Sequence, residues 1–506
     1  MSKASSMRRR DLLRIGSLGI SGVAAAALAG CGETQIVERE VVKVVTQQVP
    51  VEKVVTQIVE KARVVEKEVP VEVQKVVTQV VEKAVIQEKI VEKEVVKIVT
   101  QEAPAQPKRV DLTLLYNQFG TPEMWRDVFK KLEQEKPHLV VRETAVPYPG
   151  TEQKVLTALA GGVDLDMASV IHQWLGTFGE KEAVIPLEPL MKRDGLDPER
   201  WYGSALLDTT HRGTLIGLPY YFGPIMEFLN MDLFEGSGLE HPGQLPKAEW
   251  NFDTYLEYAQ KLTSGEGVDK IYGISGIPIA NSFFLPMYIW AFGGDFWNDD
   301  LTQSKLDSPE WVAAVQWMAD AIANWKVAPS ATEIQAIPGG PWNAGRAAMN
   351  MSGKWAVGAY DKLEFAKSMS PFPVGVDGKR HTQNSGNSMG IFTNSKHPDE
   401  SWEVLKFLGT EGHKILLTYG FTNPTMPELR TWDGYIGNLF DWEDPNMYHE
   451  GSLEGEKFEF PPNANEISSL IAAALDEVVL GKKSAEDALS ELQPKVDKIL
   501  QEGIKS

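Results

Sequence analysis

From residue 110 onward, apolar positions recur with two alternating periods, and the switches between them mark out strands and helices. Residues 110–116 place Val110, Leu112, Leu114 and Tyr116 on alternate positions, the period of a half-buried strand. Thr121 then precedes Pro122, and Trp125, Val128, Phe129 and Leu132 follow at spacings of three and four. That pattern predicts a helix capped by Thr121 with proline at its first position, ended by Pro137. A second strand over 139–144, a second helix over 152–160 closed by Gly161-Gly162, and a third strand over 166–171 complete the run. Strand-helix-strand-helix-strand with short links predicts an α/β fold with right-handed crossovers onto a parallel sheet. Ligands of such sheets sit beyond the carboxyl ends of strands, which points to Asn117, Gln118 and Phe119 and to His172, Gln173 and Trp174. Further helices are predicted over 252–262, over 309–325 with Ser308 as cap, and over 398–408, 466–480 and 484–500. In the last, Ser484 and Asp487 form a capping pair and Pro494 is expected to introduce a kink.

Before residue 110 the pattern is different. Residues 35–107 contain neither an aromatic residue nor glycine, and Val44-Val45-Thr46-Gln47 recurs at 54–57, 76–79 and, as Ile-Val-Thr-Gln, at 98–101. The offsets fit a drifting 11-residue unit, the period of a right-handed coiled coil. The abundance of β-branched valine argues for extended chain instead, and Pro50 and Pro70 interrupt any helix. The segment reads as a stalk with both conformations open. Ahead of it, Arg8-Arg9-Arg10 and Arg14 flank the start of an uncharged stretch over 15–30, the order of an export signal of twin-arginine type. The stretch ends in Leu28-Ala29-Gly30-Cys31, which resembles a bacterial lipobox, and implies a signal peptide over 1–30 and a lipid on Cys31 that anchors the chain on the extracytoplasmic face of a membrane. Cys31 is the only cysteine, so disulfides, a cysteine nucleophile and thiolate metal sites are excluded downstream.

Charge sharpens the boundary between stalk and globular part. The first 32 residues carry +4 and residues 33–109 are neutral, so the chain total of −20 leaves −24 on residues 110–506. A body this acidic is a poor partner for nucleic acid, polyphosphate or anionic lipid and suits neutral or cationic small molecules. The eight histidines show no zinc-binding spacing, no phosphate-binding glycine loop is present, and neither cofactor nor metal is expected. Gly386-Asn387-Ser388-Met389-Gly390 matches the nucleophile-elbow pattern, but a strand continues after Ser388 where the elbow requires a helix. The acidic loop Asp295-Phe296-Trp297-Asn298-Asp299-Asp300 lacks EF-hand spacing and reads as a solvated loop.

Several short motifs, in order, resemble the sugar-binding solute-binding proteins of ABC importers, the maltodextrin-binding group. They are Gly217-Leu218-Pro219-Tyr220-Tyr221, Asn230-Met231-Asp232-Leu233-Phe234, Trp250-Asn251-Phe252-Asp253, Gly293-Gly294, Gly345-Arg346-Ala347-Ala348-Met349 with Ser352-Gly353-Lys354-Trp355, Pro371-Phe372-Pro373 with Ser385-Gly386-Asn387, and Ser395-Lys396. The resemblance implies two α/β lobes around a ligand cleft, of type II, formed by 110–222 with 385–457 and by 223–384 with 458–506. It implies a non-enzymatic receptor that works with importer membrane subunits and takes a mono- or oligosaccharide. A sugar has apolar C–H faces and a hydroxyl rim, so it needs flat rings with a few directed polar groups. All 14 tryptophans lie beyond residue 110. The expected platforms are Trp174, Tyr220, Tyr221, Phe283, Trp290 and Trp355, with Gln118, His172, Gln173, Asn281 and Asn387 as polar partners. The chain lacks a Glu near Gly223 and a Trp over 461–470 that the maltodextrin-binding pattern carries. A peptide or polyamine receptor and an exported glycoside hydrolase remain the alternatives.

Overall fold

The structure is a computed structural model and describes residues 108–503 apart from positions 149, 282 and 462. The leader, Cys31 and the repetitive segment lie outside the described residues. In chain order the main strands are β1 (Val110–Asn117), β2 (Leu139–Val146), β3 (Met167–Ile171), β4 (Leu218–Tyr221) and β5 (Met226–Asn230). They continue with β6 (Tyr272–Ile274), β7 (Ala347–Ser352), β8 (Lys367–Ser370) and β9 (Asn387–Ile391). The helices that matter here are α1 (Pro122–Glu135), α2 (Gly150–Ala160), α3 (Phe252–Leu262), α4 (Leu285–Ala291) and α5 (Pro309–Ala323). After them come α6 (Pro398–Phe407), α7 (Ala464–Val479) and α8 (Ala485–Gly503).

The strands form two separate sheets, one per lobe. The first has the order β2-β1-β3-β9-β4, with β1 parallel to β2 and β3 as the alternating pattern demands, and β9 antiparallel to its neighbours. The second, β8-β5-β7-β6, is antiparallel except for the β6–β7 pair. The predicted caps are present: the Thr121 hydroxyl accepts from Met124 N–H and the Ser308 hydroxyl from Trp311 N–H. Ser484 caps α8 through Asp487 N–H, and α8 runs unbroken through Pro494. Ser388 is wholly buried in the middle of β9 with its hydroxyl donating to the Val170 carbonyl, so it is a sheet residue and no elbow nucleophile.

Each lobe has its own core. In the first, Leu112 and Leu114 of β1 pack with Trp125, Val128 and Leu132 of α1 and with Trp402 and Leu405 of α6. In the second, Trp311, Val315 and Met318 of α5 meet Ile467, Ile471 and Leu475 of α7 and Leu489, Leu492 and Val496 of α8. Burial of each such side chain contributes about 1.5–3 kcal/mol, which is what holds the helices to their sheets.

Between the two sheets the chain makes a narrow ribbon of three segments. Ile225 N–H donates to the Gln383 carbonyl at 3.1 Å and Ser385 N–H to the Gly223 carbonyl at 2.8 Å. Thr382–Gln383 in turn pairs in parallel with Gly455–Glu456. A Cβ on Gly455 would fall 1.7 Å from the Asn384 amide nitrogen, so only glycine lets these segments lie side by side. This ribbon is the hinge between the lobes.

Candidate functional site

A cavity of about 320 Å³ opens between the two sheets beside the hinge. On the first lobe it is lined by Phe119 from the loop after β1, by Tyr148, and by Ile171, His172 and Gln173 at the carboxyl end of β3. Tyr221 and Phe421 complete that wall. The second lobe supplies Asn281, Phe283, Phe284 and Trp355, and Ser385 and Asn387 come from the hinge and the start of β9. Six of these side chains are Phe, Tyr or Trp rings other than Tyr221, and they face the cavity from both sides. None of the lining residues is Asp, Glu, Lys or Arg.

The rings on the two walls are held in different ways. Tyr148 donates its hydroxyl to Gln173 Oε1, and its ring stacks on Trp174 at 6.1 Å and 20°. On the opposite wall Trp355, with 39% of its surface exposed, sits 6.0 Å from Phe283 and 6.3 Å from Phe284. Its indole folds back over Gly353, where a Cβ would fall 2.1 Å from the ring. Directly before it, the Lys354 ammonium pairs with the Glu443 carboxylate, and both side chains are 0% exposed. Tyr448 hydroxyl donates to Glu443 Oε1 at 2.8 Å and Phe440 N–H to Oε2 at 3.0 Å, so both carboxylate oxygens are bonded. Burial depresses the Lys354 pKa and the Glu443 charge opposes that shift. The ion pair thus anchors the backbone that presents Trp355.

His172 is 6% exposed, and burial lowers its pKa to about 4, so the ring is neutral at physiological pH. Its Nδ1 lies 3.1 Å from the Gly386 carbonyl. Phe283 and Phe460 of the second lobe flank the ring at 5.0 and 5.5 Å. With a neutral histidine and no ionised side chain in the lining, the cavity is an uncharged surface inside a strongly acidic body. A second cavity of about 330 Å³ shares Asn281 and Phe284 with the first and runs on past Ser275, Pro278 and Met351.

Of the residues expected from sequence, the cavity collects His172, Gln173, Tyr221, Asn281, Phe283, Trp355 and Asn387. Four lie elsewhere. Tyr220 neighbours Tyr221 on β4, so strand alternation turns it to the other face, where it meets Trp125 edge-on at 5.5 Å. Trp174 ends the short 3-10 turn His172–Trp174, in which successive side chains diverge, and it packs inward against Phe178. Trp290 lies within α4 against Phe458 in the second core, and Gln118 is exposed beside the cavity without lining it. Tyr148, Phe284, Ser385 and Phe421 were not expected. Phe284 carried a local signal, since it sits next to Phe283 and just ahead of a Leu-Pro helix start; the other three are delivered by tertiary packing alone. In the acidic loop Asp295 binds Lys305 at 2.6 Å, Asp299 and Asp300 are exposed, and no cluster of metal-ligating side chains occurs among the described residues.

Comparison with known proteins places this geometry among relatives. Residues 120–415 match the family model of the bacterial extracellular solute-binding proteins. A candidate binding protein of Brucella abortus (strain 2308) is 24% identical over 402 residues, covering 77% of this chain and 93% of the relative. The maltotriose-binding protein of Pyrococcus abyssi (strain GE5 / Orsay) is 24% identical over 349 residues, 67% of this chain and 71% of its own. Among solved structures, an ABC substrate-binding protein from Listeria monocytogenes in complex with cycloalternan superposes with a TM-score of 0.68 at 20% identity, over 78% of this chain and 99% of that one. At that identity the match establishes a shared two-lobed fold.

Proposed function

The chain belongs to the bacterial extracellular solute-binding proteins, and from that premise we propose that it captures an uncharged carbohydrate in the inter-lobe cleft and hands it to the membrane subunits of an ABC importer. The observation that carries this reading is the cavity itself: aromatic rings on both walls, a few amides and one neutral histidine, and no ionised lining residue. Rings cover the apolar faces of a pyranose, and Gln173, Asn281 and Asn387 offer both donors and acceptors to its hydroxyl rim. A polyamine or a peptide terminus would enter this cavity without a counter-charge, which disfavours both. The continuation past Phe284 leaves room for an oligosaccharide rather than a single sugar, in keeping with the maltotriose and cycloalternan named for its relatives.

The receptor acts by binding alone. Glycoside hydrolysis takes two carboxylates facing the scissile bond, and the lining residues include none. Capture works by lobe closure, for which the sugar must bind the closed arrangement more tightly than the open one. The lipid on Cys31 and the stalk extend this reading: they tether the receptor on the extracytoplasmic side, where a tether keeps its effective concentration at the importer high. Among the described residues no helix is long and apolar enough to cross a membrane.

Tryptophan fluorescence and thermal shift of the full chain against neutral mono- to tetrasaccharides test the proposal. Saturable binding of a sugar is expected. Silence across the sugars together with a response to polyamines or peptides would overturn it, and product release from a glycoside would overturn the non-enzymatic part.

A further inference from the structure

Two buried histidines of the first lobe make a controlled comparison. His413 Nδ1 lies 2.9 Å from the Tyr220 carbonyl, and its Nε2 accepts Thr425 N–H at 2.9 Å. Both nitrogens are used, and the residue is structural. His172 begins the same way, with Nδ1 3.1 Å from the Gly386 carbonyl. A carbonyl oxygen only accepts, so Nδ1 must carry the proton, and in a neutral ring Nε2 is left as a bare acceptor. Turning the ring over would set a C–H against Gly386 O and lose that bond. Yet Nε2 is buried and has no hydrogen-bonding partner among the described residues. Phe283 and Phe460 of the second lobe pack against the ring.

On the carbohydrate reading above, we propose that His172 is the specificity-determining acceptor of the cleft: Nε2 accepts one hydroxyl of the sugar, and ligands that lack that hydroxyl are rejected. The location gives the contact a second consequence. His172 comes from the first lobe, Gly386 from the end of the hinge ribbon and Phe283 and Phe460 from the second lobe, so the acceptor sits where all three meet. When the lobes approach without a ligand, Nε2 is sealed off unpaired, which penalises empty closure. A ligand hydroxyl brought to Nε2 removes the penalty, and closure follows occupancy.

A site built to bond a hydroxyl discriminates strongly against the deoxy analogue, because the partner it leaves behind is dry and unpaired. The test takes a sugar that binds the full chain and its monodeoxy analogues, one position at a time, on the native protein and on His172→Asn. Asparagine keeps an N–H donor at the Nδ1 position for Gly386 and removes the acceptor at Nε2. The native protein should lose about tenfold or more in affinity for one analogue. His172→Asn should bind the parent sugar about as weakly as that analogue and show no preference between them. Equal native affinity for every monodeoxy analogue overturns the proposal, as does a variant that folds and still discriminates; the native series decides it alone where the variant does not fold. If no sugar binds the native protein at all, the carbohydrate reading itself fails, which is a separate outcome.

Discussion

The two walls of the cleft carry similar numbers of rings but present different groups. The first lobe presents directed polar atoms, His172 Nε2 and the Gln173 amide, with Tyr148 fixed in place by a hydrogen bond to Gln173. The second lobe presents faces: Phe283, Phe284 and Trp355, the last laid on a glycine and backed by a buried ion pair. On the proposed carbohydrate reading, the first wall would read mainly hydroxyls and the second, apart from Asn281, mainly shape. Their buried titratable groups differ in kind, although the first lobe also holds the buried carboxyl of Asp208, raised by desolvation. The first lobe buries His172 and His413, both lowered by desolvation to about 4. The second buries Glu227 against Tyr255, and desolvation raises its pKa to about 8.

The sharpest way to disturb the support of Trp355 is Lys354→Met. It leaves Glu443 buried without its counter-ion, and a stability loss of about 3–5 kcal/mol is expected in urea denaturation. A loss below about 1 kcal/mol would mean that the pair does not anchor Trp355. Next comes the pH dependence, where the two buried histidines and Glu227 oppose each other. The histidines are depressed on folding, so their contribution is complete above pH 6.5 and is lost as pH falls through about 4, by at most roughly 3 kcal/mol each. Glu227 is raised on folding, so its contribution is complete below pH 4.5 and is lost as pH rises through about 8. Denaturation free energies should therefore fall on both sides, and Glu227→Gln should make the stretch between pH 6.5 and 8 shallower while the acid limb persists, the buried Asp208 carboxyl, also raised by desolvation, keeping a share of the alkaline limb; an unchanged alkaline limb would remove Glu227 from this account.

Smaller effects test the shape-reading wall directly. Trp355→Ala should weaken sugar binding about five- to tenfold with little change in melting temperature, since the ring is partly exposed; titration calorimetry with unchanged affinity would take Trp355 out of the site. Gly353→Ala should displace the indole without removing it and weaken binding by a few-fold at most. Equal losses in the two variants would show that ring placement, and not ring area alone, governs the contact.

Elements were readable from sequence wherever side-chain period and end signals agreed. Thr121 and Ser308 announce their helices because their hydroxyls bond the first free N–H groups, a local event. The loop after β3 was readable as well, because ligand position in a parallel sheet follows from strand direction. What was not readable depends on rotation and on distant chain. Whether Tyr220 or Tyr221 faces the cleft is set by one residue of strand register, and whether Trp174 points outward is set by a single 3-10 turn. Phe421 and Tyr148 reach the cavity from segments far apart in sequence, and no local pattern marks them. The Lys354–Glu443 pair joins residues 89 apart, and nothing near either one announces the other.

The three-segment hinge has a mechanical consequence. A single connecting strand would let the lobes swivel about its length, whereas segments bonded edge to edge form a strap that flexes across its flat face and resists shearing in its own plane. Such a strap would confine the lobes to one jaw-like arc. On the proposed function, a captured sugar would meet His172 from a single bearing, so ligands would be told apart by the angle of approach as much as by the atoms that await them.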